Sequence, residues 1–172
     1  MTKNIFQFIV LSLVLMLAQV VCNKILIFNL AMPMVFIYIL LRMPITWHNN
    51  ICLTIAFFLG LMVDIFNNTP GMHALACIVL VGLRRSVFNA YVPRETELTD
   101  PFPSVKTLGT AVYLKYMTTL VLIYCTVVFF VQVFTLRDFT LTLARIGASS
   151  LLTAIIFFGL DTLVSTKREK RL

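Results

Sequence analysis

The sequence predicts an all-α integral membrane protein, folded as a compact bundle of six transmembrane helices. Of its 172 residues, 60% are hydrophobic and only 12% are charged, and the mean hydropathy is +0.97. Soluble domains are about 45–50% apolar and about 25% charged. So few polar residues cannot cover so apolar an interior, and lipid must surround it. The length suits a single domain, residues 1–172.

Six apolar runs define the predicted helices. A helix needs about 20 residues to cross about 30 Å of hydrocarbon, because each residue rises about 1.5 Å. Spans are predicted at about residues 5–22, 25–41, 51–66, 72–88, 111–134 and 140–164. The first run is 18 residues long, which exceeds the apolar part of an ordinary signal peptide. We therefore expect it to be a retained helix.

Two spans have irregular features. Pro33 lies inside the second span. It is tolerated there because neighbouring helices can satisfy the freed carbonyl group, and we expect it to kink the helix. The fourth offers only about 18 Å of apolar helix before Arg84 and Arg85. It crosses the membrane only if these side chains snorkel and the helix continues to Phe88. The alternative is a re-entrant hairpin formed by the third and fourth spans.

The distribution of basic residues predicts the orientation. With six spans, both termini and the second and fourth loops share one side, which holds ten Lys and Arg residues against two on the other. That side is therefore predicted to be cytoplasmic. It contains the loop 89–110, where three prolines prevent a continuous helix, and the basic tail 165–172. The net charge of +7 then reflects topology and membrane lipids, and no nucleic-acid binding is expected.

Four charged residues lie inside predicted spans: Asp64, Lys115, Arg145 and Asp161. Such charges are costly in lipid and are usually paired. Counting from the helix ends places Asp64 and Arg145 near the outer surface, and Lys115 and Asp161 near the cytoplasmic one. The sequence therefore predicts two ion pairs, Asp64 with Arg145 and Lys115 with Asp161. Alternatively, the two cations snorkel to lipid headgroups.

Polar stripes follow the last two spans. At about 100° per residue, Lys115 lies in line with three threonines of the fifth span, and Arg145 with Ser149 and Thr153 of the sixth. Both stripes are expected to face protein rather than lipid. The pattern does not decide whether they line a cavity or join helices.

The third span carries a face of small residues that ends in a carboxylate. Ala56, Gly60 and Asp64 follow one another at a spacing of four, and such faces let a second helix approach closely. With Gly71 and Ala74 at the start of the fourth span, they form a predicted helix-binding surface. Its occupant is either a partner protein or the sixth span of the same chain.

Side chains with reactive or metal-binding chemistry are few. His73 is expected to be a hydrogen-bonding group near a helix end rather than a ligand. No nucleophile lies beside a base in a catalytic motif, so neither enzyme activity nor a metal or cofactor is expected. The cysteines have no CxxC spacing and are interpreted as small buried hydrophobes: Cys22, Cys52, Cys77 and Cys125.

Two segments resemble the rod shape-determining protein MreD family. Residues 57–64, FFLGLMVD, contain a Gly-Leu-x-x-Asp helix end, and residues 71–75, GMHAL, follow with a glycine that opens an Ala/Leu-rich helix. Before them, the run from Pro33 through Tyr38 to the Arg-Met-Pro at 42–44 resembles the family's second helix and its exit. The sequence departs from the family in one place, because Met34 stands where an acidic residue often follows the proline.

The resemblance implies a non-enzymatic component of the bacterial cell-elongation machinery in the cytoplasmic membrane. It implies association with MreC, a bitopic protein with a periplasmic domain, and with the MreB filament system, RodA and penicillin-binding protein 2. It also implies a fold similar to the substrate-binding components of vitamin transporters. A small-solute or vitamin transporter component is therefore the alternative function.

Overall fold

The computed structural model describes residues 10, 14–19, 32–92, 103, 105–132 and 139–169, and these contain helices and turns but no strand. In chain order the helices are α1 (14–19), α2 (Ile37–Leu41), α3 (Asn49–Asn67), α4 (Met72–Tyr91), α5 (Val105–Leu108), α6 (Thr110–Gln132) and α7 (Phe139–Glu169).

Four helices are long and apolar enough to cross a membrane. They are α3, α4, α6 and the segment Thr142–Asp161 of α7. The all-α class is thereby confirmed for the described residues, and the four candidate spans agree with a membrane protein. The number of six spans stays a prediction. Most of the predicted first span lies outside the described residues, although 14–19 are helical as expected.

The predicted fourth span is a complete helix. With 20 residues, α4 is about 30 Å long and continues through both arginines to Tyr91. Both arginines were expected to snorkel to the membrane surface. Arg84 is instead buried inside the protein, whereas Arg85 is exposed. The last helix is also longer than predicted, since α7 extends through residues 165–169 of the predicted tail.

The predicted second span is wrong at residues 32–36 and right at 37–41. A kinked helix was expected over 25–41, but residues 32–36 are not helical and α2 begins only at Ile37. Proline has no N–H group, and it disfavours the helical conformation of the residue before it. Side chains of α1 and α7 supply hydrogen bonds in place of those that a helix would have made. Residues 25–31 lie outside the described part.

The helices pack around the short α2. Helix α3 contacts α4, α4 contacts α6, and α6 contacts α7, while α2 touches both α4 and α6. All five residues of α2 are at most 2% exposed. The non-helical segment and α2 therefore lie in the centre of the described bundle, and their polar groups must be satisfied by the surrounding helices.

Candidate functional site

The turn between α3 and α4 is organised around one carboxylate. Asp64 is 4% exposed. Its Oδ1 accepts hydrogen bonds from the Thr69 hydroxyl at 2.6 Å and the His73 N–H at 3.0 Å, and its Oδ2 accepts one from the Ala74 N–H at 2.9 Å. These N–H groups belong to the first turn of α4, where a helix has no acceptors of its own. Asp64 therefore caps the next helix from the end of the previous one.

The chain conformation of this turn depends on residues with positive φ. Asn68 ends α3 with φ 55°, and Gly71 precedes α4 with φ 75°. Glycine adopts this region without steric cost, and asparagine tolerates it better than most residues. The turn brings the start of α4 back onto the Asp64 carboxylate.

The small-residue face of α3 is an internal surface. A Cβ at Gly60 would lie 2.5 Å from the Cα of Ala74 and 2.8 Å from the carbonyl oxygen of His73. Ala56 is fully buried. The face thus packs against α4 of the same chain, neither against the sixth span nor against a partner. The prediction placed Ala74 beside Gly60 on a single surface, whereas the two residues face each other.

His73 joins α4 to α6. Its side chain is 4% exposed, and Nδ1 lies 2.6 Å from the hydroxyl oxygen of Tyr124. The Phe36 ring contacts both residues edge-on. The structure thus gives His73 hydrogen bonds near a helix end, as expected. The sequence did not identify Tyr124 as its partner, since nothing in an apolar run distinguishes this tyrosine from its neighbours.

The predicted pair of Asp64 and Arg145 is wrong. The described residues contain no ion pair between them, and the Asp64 oxygens accept three hydrogen bonds in the α3–α4 turn. The buried Nε of Arg145 has no hydrogen-bond partner in the described part of the chain. The residue count gave both groups the same depth. It could not show that α3 packs against α4 rather than beside α7.

The predicted pair of Lys115 and Asp161 is also wrong. Asp161, 1% exposed, pairs with Arg42 at 3.7 Å and accepts a hydrogen bond from the Tyr38 hydroxyl at 3.2 Å. Lys115 is exposed. At about 100° per residue it lies opposite the face of α6 that Tyr113 and Leu120 bury.

The Asp161 carboxylate connects three parts of the chain. The Arg42 guanidinium also donates to the Tyr38 hydroxyl at 2.8 Å, and the Val105 N–H lies 3.4 Å from Asp161 Oδ2. The end of α2, the helix α7 and the start of α5 therefore meet at a single buried charge. Arg42 was counted as a loop residue in the sequence, so its role here was missed.

The non-helical segment at Pro33 is held by side chains from both sides. From α7, the Ser149 hydroxyl accepts the Met32 N–H at 3.1 Å, and the Thr153 hydroxyl accepts the Met34 N–H at 3.2 Å. Both hydroxyl residues are buried, so this polar stripe faces protein, as predicted. Its function is to replace helical hydrogen bonds that the segment lacks.

Gln19 of α1 supplies the remaining bonds. Its Oε1 accepts the N–H groups of Val35 at 2.6 Å and Phe36 at 3.3 Å, and its Nε2 donates to the Pro33 carbonyl oxygen at 3.1 Å. Gln19 is fully buried. The sequence analysis missed this residue, although a glutamine inside an apolar run is a usable signal, since a polar amide in lipid needs partners.

The threonine stripe of α6 faces protein only in part: its three threonines are half-buried, and the Thr119 hydroxyl lies 3.1 Å from the Tyr91 hydroxyl of α4. The hydroxyls of Thr118, Thr119 and Thr126 donate to the backbone carbonyl four residues earlier in the same helix. Threonine satisfied in this way need not face protein. The stripe therefore does not form a buried polar surface together with Lys115.

The described residues show neither a metal centre nor a disulfide. No group of three His, Cys, Asp or Glu side chains within them could hold a metal ion. Cys52, Cys77 and Cys125 are free and buried, in agreement with their interpretation as small hydrophobes, and Cys22 lies outside the described residues.

Comparison with known proteins adds no relative. No family model matches the chain. No curated protein and no solved structure matches it either.

Proposed function

We propose that this protein is a membrane scaffold of the bacterial cell-elongation complex, similar to the MreD family. In this role it controls cell shape and peptidoglycan synthesis without catalysing a reaction. Its proposed partners are MreC, the MreB system, RodA and penicillin-binding protein 2, and its proposed location is the cytoplasmic membrane with both termini inside.

The α3–α4 hairpin is the observation that carries this proposal. The residues that resemble the family motif are Gly60, Asp64, Gly71, His73 and Ala74, and in the structure they form one contact unit. The glycine admits the backbone of α4, and the aspartate caps its first turn. A motif that fixes backbone geometry in this way suits a scaffold, since the function of a scaffold depends on the relative positions of its helices.

A small-solute or vitamin carrier is the second candidate. The break at Pro33 favours it, because carriers bind substrates where membrane helices are discontinuous. Against it, Pro33 and its neighbours are buried, and the N–H groups of Met34, Val35 and Phe36 are bonded to side chains of the chain itself. Those groups are not available to a solute in this conformation.

Copurification separates the two candidates. The full chain, tagged and extracted in mild detergent from the cells that produce it, should retain MreC, and depletion of the chain should turn rod-shaped cells round. Mass spectrometry identifies the retained proteins, and a tagged membrane protein of similar size serves as control. Retention of a transporter ATPase without MreC, together with normal cell shape after depletion, refutes the scaffold and supports the carrier.

The proposed orientation has its own test. Reporter fusions after Lys167 and within residues 95–100 should both be active in the cytoplasm, because ten of twelve flanking basic residues are assigned to that side. A periplasmic signal from either fusion contradicts the arrangement of six spans.

A further inference from the structure

Arg84 is a buried cation with neutral partners. The residue is 6% exposed. Its Nε donates to the Tyr116 hydroxyl at 3.2 Å, and Nη2 donates to the carbonyl oxygen of Met43. The other terminal nitrogen, Nη1, makes no hydrogen bond within the described part of the chain, and it is not fully buried, so it can be reached from outside the protein. The protein thus orients the guanidinium, but its described residues provide no negative partner for the charge and no acceptor for the N–H groups of Nη1.

The described part of the chain provides no anion for this charge. Its two acidic side chains with described surroundings are Asp64 and Asp161. Asp64 caps the opposite end of α4, and Asp161 pairs with Arg42. A cation removed from water is costly unless a negative group and hydrogen bonds compensate it. Arg84 therefore needs an anion from outside these residues.

A second cation and a helix start lie beside Arg84. Arg85, the next residue, is exposed. Helices α3 and α4 are antiparallel with Gly60 opposite Ala74, so equal rise per residue places the first residue of α3, Asn49, level with Arg85. No side chain caps this helix start, whose N–H groups carry partial positive charge.

These groups line one groove. Its wall contains both arginines and Asn49 at the start of α3. Apolar side chains complete it, among them Trp47, Cys52 and Val81. Arg84 lies seven residues before the end of α4, which is about 10 Å along the helix. Tryptophan and arginine at this distance from a helix end are typical of the headgroup level of a bilayer.

We propose that this groove binds the phosphate group of an anionic phospholipid. The phosphate accepts from Nη1 of Arg84 and from Arg85 and faces the start of α3, while an acyl chain lies against Ile45 and Trp47, the partly exposed apolar residues of the wall. The apolar wall and the position within a membrane-spanning helix favour a lipid over soluble phosphate. The proposal rests on the membrane location and not on a role in cell elongation.

Native mass spectrometry of the purified full chain tests the proposal. The protein in detergent is titrated with phosphatidylglycerol, with phosphatidylcholine and with inorganic phosphate. We expect preferential retention of phosphatidylglycerol. Arg85→Gln should weaken its binding about fivefold, which corresponds to about 1 kcal/mol for one basic residue near a lipid surface. Arg85 is chosen because it is exposed, so its loss leaves the fold intact.

Two further variants make the outcome decisive. Lys115→Gln removes another exposed cation, one that lies outside the groove, and should leave lipid binding unchanged. Arg84→Lys keeps the charge but places all its donors on one nitrogen instead of on a planar fork that reaches Tyr116, Met43 and the phosphate with separate nitrogens. It should weaken binding even where thermal unfolding shows a folded protein. Equal retention of phosphatidylcholine, saturation by inorganic phosphate alone, or equal loss in Arg85→Gln and Lys115→Gln each overturns the proposal.

Discussion

The α3–α4 hairpin and the segment 32–36 solve the same physical problem in opposite ways. In both, backbone groups lie where water is scarce and each unpaired group is costly. The hairpin keeps its backbone helical and needs one carboxylate at the turn, with Gly60 allowing close contact. The segment gives up helical hydrogen bonds and needs three side chains from two other helices.

The two regions differ in the sequence separation between each backbone N–H group and the side chain that accepts its hydrogen bond. Asp64 lies within ten residues of both N–H groups that it accepts, so a short sequence motif encodes the hairpin. Ser149 and Thr153 lie more than 100 residues from the N–H groups that they accept. The segment at Pro33 can therefore form only once α7 is in place, whereas the hairpin can form as soon as its two helices exist.

The largest expected effect is that of Gly60→Leu. The first atom of any side chain would lie 2.5 Å from the Ala74 Cα, so α3 and α4 must separate, at a cost of about 3 kcal/mol. Thermal unfolding in detergent should show a clear loss of stability, and abundance should fall. Gly82→Leu is the matched control, since a Cβ at Gly82 meets nothing within 4 Å. Normal stability of Gly60→Leu contradicts the internal packing of this face.

Asp64→Ala should have the next largest effect. It leaves the N–H groups of His73 and Ala74 and the hydroxyl of Thr69 without their acceptor, which costs about 2 kcal/mol. Asp64→Asn retains one acceptor oxygen and should cost less. Both are measured by thermal unfolding. A stable Asp64→Ala protein means that the carboxylate does not hold the hairpin together.

Thr153→Val tests the non-helical segment. The substitution keeps the shape of the side chain but removes the acceptor of the Met34 N–H, with an expected loss of about 1 kcal/mol. The variant Thr126→Val is the control, because the Thr126 hydroxyl bonds only its own helix. Equal stability of the two variants indicates that segment 32–36 finds other acceptors and that its dependence on α7 is weaker than the structure implies.

The smallest effect is expected for Arg145→Gln. Since Arg145 makes no ion pair with Asp64 and its buried Nε has no hydrogen-bond partner in the described structure, its loss should not lower the free energy of unfolding by more than about 0.5 kcal/mol. The effects of Arg145→Gln and Asp64→Ala should then add in the double variant. A coupling energy of about 1 kcal/mol or more between the two substitutions would show that Arg145 and Asp64 interact, as the sequence predicted.

Much of the fold could be predicted from the amino-acid sequence. Hydropathy identified the membrane class and placed α3, α4 and α6 within a few residues of their ends, because the apolar length of a helix is a local property. The motif around Gly60 and Asp64 was also visible, as its interactions span only a short stretch of chain.

Tertiary structure decided the partners of the buried polar groups. Counting residues gives the depth of a group along its helix, and on this basis Asp64 was paired with Arg145 and Asp161 with Lys115. Depth is a single coordinate, whereas contact also depends on which helices are neighbours and which faces they present. That arrangement follows from packing over the whole bundle, which directs Arg42 to Asp161 and the hydroxyls of α7 to the backbone around Pro33.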